Sequence, residues 1–136
     1  MIQDMKKLLF ALLGALLIVS CEEKQKTYLD RDDSVYLMES EVIDLKIVLH
    51  RPNRQYEVYQ RYNMYNHGWE LEDKGKYEES IDGDIVTCEL DNDYVKRNGG
   101  EKLGTIFRVK IDLSLGGATF SSIVGKDHAT DITNKQ

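Results

Sequence analysis

Between residues 34 and 124 the apolar positions recur every second residue, the period of strands with one buried face rather than of helices. The longest run is 105–115, where Phe107, Val109, Ile111, Leu113 and Leu115 alternate with Arg108, Lys110, Asp112 and Ser114. Residues 42–50 repeat the pattern with Ile43, Leu45, Ile47 and Leu49, and residues 84–90 set Val86, Cys88 and Leu90 on one side. Residues 34–38, 55–65 and 118–124 read as further strands, about six or seven in all. Gly116-Gly117 supplies a hairpin turn, since glycine takes positive φ at little cost. A turn or two of helix is expected at 91–98, with Asp91 as N-cap and Gly99 just past the end. Two sheets packed face to face bury so many one-sided strands most simply, so the predicted fold is an all-β sandwich over 34–125. A small β-barrel is the alternative.

The N-terminal run has a different character. Lys6 and Lys7 precede twelve apolar or small residues, 8–19. That is too short to cross a bilayer as a helix, and it fits the apolar core of a secretory signal. Asp4 is out of place in such a signal, so Met5 competes with Met1 as the true start. Ile18-Val19-Ser20-Cys21 resembles the lipobox of bacterial lipoproteins. The resemblance implies removal of 1–20 and acylation of Cys21, with two or three acyl chains holding the protein at a membrane. Cys21-Glu22-Glu23-Lys24 resembles the acidic surface-export tags of Bacteroidota-type lipoproteins. That implies an outer-membrane anchor, with the protein on the cell surface or on the periplasmic face. Residues 21–33 are mostly charged and read as a lipidated tether. Residues 126–136 have little apolar content and are expected to form a flexible tail.

A net charge of −6 over 136 residues argues against a nucleic-acid partner, which requires a basic face. With Cys21 acylated, Cys88 is the one remaining thiol and no internal disulfide can form. Cys88 faces inward by parity and reads as a small core residue. His50, His67 and His128 are scattered and carry no zinc spacing. Asp82-Gly83-Asp84 and Asp91-Asn92-Asp93 read as turns rather than calcium loops. No cofactor or metal is expected, and no nucleophile or carboxylate pair marks an enzyme.

The segment that draws attention is aromatic. Tyr56, Tyr59, Tyr62 and Tyr65 recur every third residue ahead of Trp69. As a strand, it places Tyr56, Val58, Tyr62 and Met64 on a core face. Tyr59, Arg61, Asn63, Tyr65 and His67 lie opposite, with Trp69 extending the row. Rings mixed with hydrogen-bonding groups suit a sugar or a protein surface. The same residue types also stabilise sheets with no ligand at all. Ser34-Val35-Tyr36-Leu37 and Leu90-Asp91-Asn92-Asp93-Tyr94-Val95 resemble the immunoglobulin-like N-terminal domains of gut Bacteroidota lipoproteins, which implies a sandwich in a glycan-utilisation or adhesion setting. The expected function is a non-catalytic, lipid-anchored envelope binding module for a glycan or protein, through Tyr59, Arg61, Asn63, Tyr65, His67 and Trp69. The alternatives are a structural component of an envelope assembly (secretion, conjugation or fimbrial) and an inhibitor or immunity lipoprotein.

Overall fold

A computed structural model of the chain describes residues 26–65 and 68–135. The signal, Cys21 and His67 lie outside the described residues. Eight antiparallel strands run in chain order around one closed barrel: β1 Asp33–Met38, β2 Ile43–His50, β3 Gln55–Tyr62, β4 Glu70–Asp82, β5 Ile85–Leu90, β6 Arg108–Asp112, β7 Gly117–Ser122 and β8 Gly125–Asp131. β8 returns to β1 through Tyr36 opposite Asp131 and Leu37 opposite Thr130. The all-β expectation holds and the barrel alternative is the one formed; the immunoglobulin-like sandwich is not. Both architectures bury one face of every strand. Here the ladder continues through the β1–β8 pairing, which removes the free edges a sandwich keeps.

That pairing also corrects the C-terminal expectation. Residues 125–131 form the closing strand, with Ala129 inside opposite Ala118, and the segment after it packs back on β1, where Thr133 Oγ1 accepts the Val35 N–H at 3.0 Å. β4, at thirteen residues the longest strand, has no counterpart among the strands expected from the pattern. Its inward positions are Asp73, Gly75, Tyr77 and Glu79, too polar to show an apolar alternation. β6 is shorter than expected: Asp112 Oδ1 accepts the Ser114 and Leu115 N–H groups at 3.0 Å each, so the chain turns there and leaves Leu115 exposed.

The interior is filled by alternate residues of every strand. Tyr36, Ile47, Leu49, Tyr56, Val86, Cys88, Val109 and Phe120 are all almost fully buried. Burial pushes the Cys88 thiol up to about 12, which leaves it an apolar core group. The outer wall carries Lys46, Glu57, Lys74, Lys76, Glu78, Glu89 and Lys110, charges that an apolar lipid-facing belt would not tolerate.

The two ends of the barrel differ. At the end carrying the termini, the 3-10 turn Tyr28–Asp30 inserts Tyr28, which is 1% exposed. Tyr28 donates its hydroxyl to Glu79 at 2.5 Å and lies 2.6 Å from the Tyr77 hydroxyl. Arg51 and Arg54 both reach the Glu79 carboxylate at 3.1 Å. This plug partly closes the terminal end, and a cavity of about 630 Å³ remains beside it, lined by Tyr28, Arg31, Tyr36, Ile111, Leu113 and Asp131.

Candidate functional site

The opposite end is formed by the connections β1–β2, β3–β4, β5–β6 and β7–β8. Large apolar side chains are exposed on all four: Val42, Met64, Leu103, and the pair Ile123 and Val124 at the β7–β8 turn, with Tyr62 at the tip of β3. Met64 is 75% exposed and Val124 68%. Lone exposed apolar residues mean little, whereas a set converging on one end from four separate loops marks a contact region.

Inside this rim lies a cavity of about 350 Å³. Met38, Leu45, Val58 and Ile106 give it an apolar floor, and Gln60, Glu72, Lys102 and Asp127 bring polar groups to its wall. An eight-stranded barrel has an interior that side chains just fill or that holds one small ligand. Here Tyr28 and its partners fill part of the terminal half, and this cavity leaves space in the other.

Glu72 reaches this wall because the β3–β4 register shifts between Val58 and Tyr59. The shift leaves Glu72 as the extra residue of a bulge, a device that re-aims side chains. Gln60 donates its amide to Glu72. Burial raises the Glu72 carboxyl pKa above its usual value; neighbouring Glu70 and Asp73 add to the rise and Lys102 offsets it.

Asp73, 3% exposed, is occupied otherwise. It accepts the Tyr56 hydroxyl at 2.7 Å, the Asn92 amide at 2.8 Å, and the N–H groups of Lys74 at 2.9 Å and Val95 at 3.2 Å. Asn92 also donates to the Ile106 carbonyl at 2.8 Å. Its φ of 54° is a left-handed conformation that asparagine tolerates better than most residues. This knot holds helix α1, Asp93–Arg97, against β4. The expected helix is present but shorter than 91–98. Asp91 sits one residue before the N-cap Asn92 and accepts the Asp93 N–H at 3.1 Å.

The aromatic segment is only partly the surface its spacing predicts. Tyr59, Arg61 and Trp69 do assemble, on the outer wall beside the open end. Lys46 joins them, its ammonium 4.5 Å from the Trp69 ring centre and 5.4 Å from that of Tyr59. The Arg61 guanidinium lies 4.4 Å from Trp69 and donates to buried Asp44 at 2.8 Å. Burial and the Arg61 charge lower the Lys46 pKa. Asn63 turns back instead, donating to the Ser40 carbonyl at 2.7 Å and to Asp44 at 3.2 Å. The Tyr65 backbone closes a 3-10 turn, Asn63–Tyr65. That turn ends β3 at Tyr62, so Tyr56 and Val58 enter the core as expected while Tyr62 and Met64 are exposed. Sequence reasoning missed the cavity lining because it is contributed by six strands and the β5–β6 connection. Its one local signal is the exposed apolar residue, or pair, in each loop at that end.

Comparison with protein-family models, with curated proteins and with solved structures returned no match.

Proposed function

We propose that the protein is a non-catalytic binding module, held at the cell envelope by an acylated Cys21, that takes an apolar or amphiphilic ligand at the open end of the barrel. The observation that carries this reading is the apolar rim around a cavity with an apolar floor. Barrel mouths are preferred ligand sites, and such sites combine apolar walls with a few placed polar groups. The tether agrees with it. Seven residue steps from Cys21 to Tyr28 reach at most about 25 Å and arrive at the terminal end, so a lipid on Cys21 is attached at the end of the barrel opposite the mouth.

The test is photolabelling of the full chain in lipid vesicles with an uncharged decyl diazirine, followed by peptide mapping. Adducts on Met38, Leu45, Tyr62 or Val124, suppressed by Leu45→Trp, are the expected result. Adducts confined to the N-terminal segment or the outer wall would overturn the reading. The anchor is checked separately: Cys21→Ser should abolish fatty-acid labelling, and protease shaving of intact cells reports which side of the outer membrane the protein occupies.

A second reading places a protein or glycan partner on the outer wall. The Lys46–Trp69–Arg61 assembly with Tyr59 favours it, because Trp, Tyr and Arg carry most interface energy. Trp69→Ala should then abolish partner binding and leave labelling of the mouth intact.

A further inference from the structure

We infer that the open end selects amphiphiles with a cationic, hydrogen-bond-donating head, which sits against Glu72 while the apolar body fills the space between Met38, Leu45 and Val58. The inference rests on the binding reading above and names its ligand class.

Size sets the first limit. At the roughly 30 Å³ that one water-sized group occupies, a cavity of about 350 Å³ takes about a dozen heavy atoms. That matches a single chain of medium length, not a two-chain lipid or an oligosaccharide. The rim sets the second. Val42, Met64, Leu103, Ile123 and Val124 are aliphatic or thioether side chains that suit entry of a hydrocarbon, and Tyr62 is the one member of this rim with a hydroxyl, far fewer hydroxyl-reading groups than a sugar requires.

Charge sets the third. Three carboxylates, Glu72, Asp73 and Asp127, line the cavity against one ammonium, Lys102. Asp73 is already saturated by four donors. Among the described residues Glu72 has one donor, the Gln60 amide, and an ionised carboxylate has room for more. Around the same end, Glu39, Glu41, Glu70 and Glu101 add negative charge against Lys126 and the Lys46 and Arg61 of the outer wall, so the balance stays acidic. A fatty-acid head would therefore meet repulsion and an unsatisfied carboxylate. An ammonium head would meet a carboxylate partly withdrawn from water, where charge-assisted hydrogen bonds are strongest.

Competition against the uncharged diazirine separates this inference from the reading beneath it. Decylamine, decanol and decanoate are titrated against labelling of the mouth in the full chain. Decylamine should displace the probe at least tenfold more effectively than decanoate, with decanol between them. Glu72→Gln should bring the amine-to-acid ratio within about threefold, and Lys102→Gln should raise it. Labelling that decanoate displaces as well as decylamine, or a ratio that Glu72→Gln leaves unchanged, would overturn the cationic-head assignment and leave the apolar site standing. Absence of labelling at the mouth would overturn both.

Discussion

Replacing Asp73 by alanine probes the knot that holds the β5–β6 connection across the open end. The carboxylate is 3% exposed and accepts two side-chain donors, the Tyr56 hydroxyl and the Asn92 amide, as well as two backbone N–H groups. The Lys74 and Val95 N–H groups lie near enough to solvent for water to replace the lost acceptor. Tyr56 and Asn92, at 1% and 2% exposure, do not. A buried donor left without a partner costs about 1–3 kcal/mol. The Tyr56 hydroxyl can turn to Asp91 Oδ1 at 3.5 Å, while one Asn92 amide hydrogen keeps the Ile106 carbonyl and the other is left unpaired, so the loss is about 2–3 kcal/mol. With a urea m-value of about 2 kcal/mol/M, the unfolding midpoint falls by about 1 M. At roughly 4 °C per kcal/mol for a domain of this size, Tm falls by about 10 °C. The comparison is Asp91→Ala, which removes an exposed carboxylate that accepts the Lys76 and Asp93 N–H groups at 3.1 Å each and should cost no more than about 1 kcal/mol. Equal effects of the two substitutions would refute the claim that burial makes Asp73 the centre of the knot.

Three further outcomes are expected. Burial alone would raise the Glu79 pKa, but bonds from Arg51 and Tyr28 outweigh it and hold the carboxyl below its usual value. Its stabilisation is therefore present above about pH 4.5 and lost as pH falls through the folded pKa. Glu79→Gln should lower the urea midpoint at pH 7 and match the parent protein near pH 3; a constant difference across that range contradicts the ion-pair account. His50 lies between Asp33 at 2.7 Å and Glu57 at 2.6 Å, and these carboxylates outweigh the effect of burial and raise its pKa. The contribution is full below about pH 6.5 and disappears as pH rises through the folded pKa. An NMR titration should give a midpoint above 6.5, and one at or below it would remove the bridge. Among the described residues the buried Tyr36 hydroxyl makes no hydrogen bond of good geometry, with the Ser34 hydroxyl its polar neighbour, so Tyr36→Phe should leave stability unchanged or raise it by up to about 1 kcal/mol; a loss above that in urea unfolding would show that the hydroxyl is satisfied.

Much of the fold is legible in the chain itself. The apolar runs 34–38, 42–50 and 84–90 became β1, β2 and β5 almost residue for residue, because each carries enough apolar side chains of its own to mark the face it buries. Cys88 points inward as its parity requires, and Gly116, at φ 83°, lies in the β6–β7 connection. The chain alone could not mark β4 and β8. Glu79 is acceptable inside β4 only because Tyr28, Arg51 and Arg54 converge on it from two distant segments. Asp73 is acceptable only because Tyr56 and Asn92 do. β8 buries only the small Ala129 among polar, exposed residues and leaves no apolar alternation to read. The closure of the barrel lies beyond the sequence for the same reason. One-sided strands are equally consistent with a sandwich, and the choice rests on the pairing of β8 with β1, separated by nearly the whole described chain. The candidate site follows that choice: Met38, Leu45, Val58, Glu72 and Ile106 are distant in sequence, and closing the barrel is what brings them round one cavity.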